Sequence, residues 1–270
     1  MEPSPKAQLS AFIYFTLTAL GISWIAWAPV IFSRQDVLAF PIVLLYGIGW
    51  FGPSLAGIYW TWRIYRCEGL RDLWARALRF RFGAGYYAIL LVVWPLVFAG
   101  AAFLSSASGL PTASFGAILS RLANPLAFAG LLIATLFIGP VSEEFGWRGF
   151  ALELLAPRMG PIFSSILIGL VWGVWYLPIF FMVGTAQSQV NILPFIIDTI
   201  ALSITFTWLY QSTGRSLAAV ILLHFMYNLS MALMPLNDRA IFFLILLQIP
   251  IAIPLVIGWL PEHKPTKPGS

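Results

Sequence analysis

Eight continuous apolar runs divide this sequence, at about 9–32, 38–62, 85–107, 125–155, 161–183, 191–210, 216–235 and 240–260. A helix that crosses the ~30 Å hydrocarbon core of a bilayer needs about 20 mostly apolar residues, and every run is that long. Strands of an outer-membrane barrel would instead alternate in polarity over segments of about ten residues. The first run is too long for the core of a signal peptide and no small-residue cleavage site follows it, so it reads as a span. The expectation is an all-α integral membrane protein, a bundle of about eight transmembrane helices. These form a single transmembrane domain over 1–260, followed by a Pro- and Lys-rich tail at 261–270 expected to be disordered and cytoplasmic. No internal repeat is visible, which argues against an inverted-repeat transporter.

Only 9% of the residues are charged, against about 25% in a soluble domain. That excludes a soluble enzyme, a secreted disulfide scaffold, a coiled coil and a disordered chain. The net charge of +5 raises the question of nucleic acid, and the placement of the basic residues answers it. Arg63, Arg66, Arg71, Arg76, Arg79 and Arg81 crowd the loop after the second run. With that loop inside, Lys6, Arg148, Arg158, Arg215, Lys264 and Lys267 fall on the same side, and only Arg34, Arg121 and Arg239 fall outside. This is the positive-inside pattern of a membrane protein with both termini cytoplasmic, and no nucleic-acid partner is expected. In a prokaryote the membrane would be the plasma (inner) membrane. The stretch Cys67–Phe82 reads equally well as an amphipathic helix on anionic lipid or as an ordinary basic loop. Cys67 is the single cysteine, so no intramolecular disulfide forms.

Charged groups at membrane depth cost about 2.5–3.5 kcal/mol each on insertion scales and mark sites. Here they are Glu143, Glu144, Arg148, Glu153, Asp198 and His224. Glu144 and Arg148 are four apart and share a helix face, which leaves Glu143 free for another task. Like charges and burial both raise a carboxylate's pKa, as a general base near neutrality requires. Pro140 removes a backbone donor and should kink or restart the helix, placing both carboxylates in a first turn where the helix dipole favours them. His224 and Asn228 also share a face at mid-span. Imidazole and carboxylate together suit acid–base or metal chemistry, and an amide suits a developing oxyanion. Trp172 and Tyr176 share a face too, although aromatic pairs at this spacing normally pack. Asp198 reads as a hydrogen-bonded or interfacial acid, and Glu153 as one reaching the cytoplasmic interface.

Glu143-Glu144-x-x-x-Arg148, then Trp172-Gly-x-Trp-Tyr176-Leu-Pro, then His224-x-x-x-Asn228 resemble the three ordered motifs of the CPBP intramembrane proteases. These are the CAAX prenyl endopeptidases and their bacteriocin-processing and immunity relatives. Gly52-Pro53-Ser-Leu-Ala56 and Thr213-Gly-Arg-Ser-Leu217 fit the same pattern. The resemblance implies an eight-helix bundle with a conical cavity open toward the cytoplasmic leaflet. It implies an endopeptidase acting there on a membrane-associated or lipidated peptide, with membrane lipid as its other partner. Carried over by position, Glu143 activates water beside Glu144, Arg148 forms a structural ion pair with Glu144, and His224 and Asn228 hold the oxyanion. The family has His where this chain has Tyr176, and a phenol is a poor base or neutral ligand at pH 7. Tyr176 would instead orient Glu143 or the water. A divalent metal such as zinc would have Glu143, Glu144 and His224, with Asn228, to bind it. The alternative is a catalytically impaired pseudoprotease that binds a membrane peptide or confers immunity. A proton-coupled carrier using Glu143, Glu144 and Asp198 is a third reading.

Overall fold

A computed structural model describes residues 5–110, 118–119 and 122–259. The tail 261–270 and Arg121 lie outside the described residues. The described residues form α1 (Pro5–Ser33), α2 (Ile42–Trp50), α3 (Gly52–Ala77), α4 (Ala84–Ala107), α5 (Pro125–Leu136), α6 (Ser142–Gly146), α7 (Glu153–Trp175), α8 (Ile192–Ser212), α9 (Leu217–Leu233) and α10 (Asp238–Trp259). Wide π-type turns at Phe137–Val141 and Trp147–Leu152 flank α6. Among the described residues the one strand-like feature is an isolated bridge between Asp36 and Val183. The all-α membrane architecture is as expected.

Five helical stretches are long and apolar enough to cross a membrane, or six if the pair α2–α3, bent by 45°, counts as one span. One of the five is the 57-residue run Pro125–Phe181, which would measure about 86 Å if straight at 1.5 Å per residue. It is broken at Ile138–Gly139 and again at Gly160, where the backbone leaves helical values. Leu217–Leu233 is a shorter apolar helix.

One end of the bundle is tied by ions. α3 breaks at Arg66 (φ 55°, ψ −149°), and the segment beyond it lays Leu73, Arg76 and Ala77 on the protein while Cys67, Glu68 and Asp72 stay exposed. Arg76, read from sequence as part of a basic loop, is buried. Its guanidinium donates to Asp72 (2.8 Å), the Gly149 carbonyl (3.0 Å) and the Tyr210 hydroxyl (2.7 Å). Glu153 accepts from Tyr210 (2.9 Å) and from two nitrogens of Arg215. These bonds hold Arg215 above the ordinary arginine pKa. Arg79 donates to the Gly214 carbonyl, so the α3–α4 and α8–α9 connections meet here. At the opposite end, Val37 donates to the Val183 carbonyl (3.0 Å) and Asn237 accepts from Ser105 (3.1 Å).

Two close approaches set the interior. Gly57 of α3 lies against α6, where an added Cβ would stand 2.7 Å from the Gly146 Cα. Gly169 of α7 lies against α8, where a Cβ would stand 2.6 Å from the Ile200 Cα. Small residues at helix contacts let backbones approach in lipid, where no hydrophobic force drives helices together. Behind them Trp27, Trp50, Trp147 and Trp175 form a buried aromatic wall, with Trp50 5.5 Å and Trp175 4.9 Å from the Tyr176 ring.

Candidate functional site

The site is built around the break that ends the α5 stretch. Gly139 takes φ 107° and ψ −89°, a region closed to residues with a Cβ, and Pro140 has no N–H to continue the ladder. Ser142 bridges the gap: its hydroxyl accepts from the Gly139 N–H (2.9 Å) and donates to the Gly139 carbonyl (3.2 Å). Ser54 of α3 donates to the Val141 carbonyl (2.8 Å) and anchors the break from the other side. The helix restarts as α6 with Glu143 and Glu144 in its first turn, as Pro140 suggested.

The two carboxylates are both fully buried and face different partners. Glu144 accepts from Arg148 Nη1 at 3.1 and 3.2 Å, and its Oε1 lies 2.8 Å from His224 Nδ1. Such a partner selects the tautomer or ionised form with a proton on Nδ1. The Arg148 guanidinium is 5.0 Å from the centroids of both the Trp172 and Phe206 rings, and its Nε and Nη2 have no hydrogen-bond partner among the described residues. Glu143 points elsewhere: one oxygen accepts from Trp172 Nε1 and the other from the Tyr176 hydroxyl (3.0 Å). Sequence spacing anticipated the Glu144–Arg148 pair. Trp172 was missed as a donor, because an indole at helical spacing in an apolar run reads as packing.

A cavity of about 840 Å³ lies beside this cluster. Trp172, Tyr176, His224 and Asn228 line it, together with Ile138 and Asp198. Asn228 Nδ2 donates to the Ile138 carbonyl (3.3 Å). A Cβ on Gly139 would collide with the Asn228 amide and stand 3.3 Å from His224 Nε2, so the missing side chain keeps both groups clear. Glu143 does not line the cavity. Its two oxygens are held by Trp172 and Tyr176, which do line it. His224, Tyr227, Asn228 and Met231 present one face of α9 to it.

The cavity runs from mid-bundle to the loops Gln187–Asn191 and Pro235–Asp238. Those loops lie at the end away from Arg76, Arg79 and Arg215. This differs from the expectation of an opening toward the basic, cytoplasmic side. The reason lies in packing: the ion-paired connections close the basic end, while α5, which buries none of its residues, leaves space at the other. Asp198 is buried and accepts from Tyr227 (2.7 Å) and Gln248 (2.6 Å), as a hydrogen-bonded acid should. Gln248 was missed, although an amide inside the run Ile-Leu-Leu-Gln-Ile-Pro is costly in lipid and marks a partner.

The donor set does not fit a metal ion. Glu144 and His224 spend their facing atoms on each other, Glu143 is turned to Trp172 and Tyr176, and no group of three metal-ligating side chains converges among the described residues.

Residues 125–230 match the family described as Type II CAAX prenyl endopeptidase Rce1-like, a span that holds Glu143, Glu144, Arg148, Tyr176, His224 and Asn228. CAAX prenyl protease 2 of Methanococcus maripaludis is 31% identical over 120 residues, which cover 42% of this chain and 42% of that protein. The match thus spans less than half of that relative's length. The resemblance to the CPBP proteases is borne out, and it falls on the stretch that builds the site.

Proposed function

We propose that this chain is an intramembrane endopeptidase of CAAX type that hydrolyses a peptide bond of a membrane-associated or lipidated substrate held in the cavity. One observation carries the reading: Tyr176 lines the cavity and donates to a carboxylate buried directly behind it. A cavity water gives a proton to the Tyr176 oxygen as the Tyr176 proton passes to Glu143, and the water oxygen adds to the scissile carbonyl carbon. Asn228 Nδ2 donates to the oxyanion, and His224, held at Nδ1 by Glu144, brings Nε2 beside that amide at the gap left by Gly139. The proton held on Glu143 returns through Tyr176 to the leaving nitrogen, the C–N bond breaks, and acid and amine are released. We further propose eight passes with both termini inside, and entry of the substrate from the end that carries the loops Gln187–Asn191 and Pro235–Asp238.

The test uses the full chain in bilayers with quenched fluorescent peptides ending in Cys-aliphatic-aliphatic-X, with and without a prenyl group. Wild type cleaves, Glu143→Gln does not, and Tyr176→Phe falls by about 10²–10⁴ as for loss of a proton relay. A second reading has its own observation: both oxygens of Glu143 are already engaged, and Tyr176 stands where the family has His. Under it the chain is a pseudoprotease that binds a peptide without cutting. An inactive wild type that gains cleavage on Tyr176→His would establish that reading and end the first.

A further inference from the structure

Asp198 is a carboxylate without a counter-ion. It is 5% exposed, lines the cavity, and takes one neutral donor on each oxygen, Tyr227 and Gln248. No salt bridge to it is formed among the described residues. A carboxylate has about four acceptor positions, so two remain. Gln248 Oε1, buried behind it, also has no partner.

The cavity wall repeats this imbalance. It carries Asp198 within and Asp238 at the mouth, and no Lys or Arg. Arg239, next to Asp238, donates to the Ser108 carbonyl (3.2 Å). His224, on the inner wall, is already held by Glu144. Trp50, Trp172, Tyr176, Phe195 and Tyr227 are among the residues that line the cavity. A low-dielectric funnel with charge of one sign concentrates the opposite charge, and ring faces add attraction for ammonium or guanidinium groups. Tyr227, which holds Asp198, is one residue from Asn228 and three from His224 on α9, and all four residues line the same cavity.

We propose that Asp198 forms a subsite for a cationic group, an ammonium or guanidinium on a peptide bound in this cavity. That the peptide is a substrate rests on the endopeptidase reading, but its binding does not require hydrolysis. The probes are two peptides identical except for one lysine replaced by norleucine, titrated into the detergent-solubilised full chain by calorimetry. Wild type binds the lysine peptide about tenfold or more tighter, a difference of about 1.4 kcal/mol. Asp198→Asn brings the two within about twofold while norleucine-peptide affinity stays as in wild type. Asp238→Asn keeps the preference. Equal binding of both peptides by wild type overturns the proposal, and that arm needs no variant to fold. So does a preference that survives Asp198→Asn or disappears with Asp238→Asn. A lysine preference without any cleavage leaves the subsite standing and removes the endopeptidase reading.

Discussion

Replacing each carboxylate by its amide separates the roles of the two adjacent glutamates. Glu144 and Arg148 are both fully buried, at 3.1 Å, and Glu144 also faces His224. Glu144→Gln removes the counter-charge of a guanidinium held between two aromatic rings. Breaking a buried pair from one side costs about 3–5 kcal/mol, because the remaining charge stays in a low dielectric. Glu143→Gln keeps the shape and one acceptor, and turns an amide N–H₂ toward one of two donors, at about 1–3 kcal/mol. At roughly 2–4 °C per kcal/mol for a chain near this size, Glu144→Gln should melt about 6–20 °C below wild type and Glu143→Gln about 2–12 °C below. Intrinsic fluorescence suits the measurement, since Trp147, Trp172 and Trp175 are buried around the site. Scanning the solubilised protein beside the cleavage assay should give a Glu143→Gln variant that is folded and inactive, and a Glu144→Gln variant that loses the more stability. If Glu144→Gln melts with wild type while Glu143→Gln is the less stable of the two, the pairing of Glu144 with Arg148 as the structural charge couple is refuted.

Gly139→Ala puts a Cβ at a backbone conformation that stores about 1–3 kcal/mol of strain in a non-glycine residue, directly against Asn228 and His224. Cleavage should fall further than the melting temperature, and unchanged turnover would mean that the break does not position these two groups. Gly57→Ala drives a methyl group to 2.7 Å from the Gly146 Cα. Overpacking of this kind costs about 1–3 kcal/mol, read as a lower melting temperature, and a wild-type melt would show that α3 and α6 need no close contact.

Much of the site was legible because helix geometry relates residues on one helix. The four-residue spacing of Glu144 and Arg148, and of His224 and Asn228, put each pair on one face, and Pro140 marked the restart. Spacing along a helix says nothing of what comes from another helix. That is why Trp172 read as packing, why Gln248 went unnoticed, and why Arg76 was counted with the loop when it clamps Gly149 and Tyr210.

The sequence by itself determined that the chain is a bundle of apolar helices, with Arg gathered at one end and a handful of polar groups too costly to leave in lipid. The lengths of the runs and the price of charge at depth require that much. Only the tertiary structure decided which carboxylate pairs with Arg148 and His224 and which is sealed behind Trp172 and Tyr176. It alone placed the cavity away from the basic end. In a bilayer, lipid-facing and protein-facing surfaces are equally apolar, so hydrophobic patterning cannot tell which face of each helix meets its neighbour. That choice was made by glycine contacts, by the break at Gly139, and by polar partners that find one another only once the helices have packed.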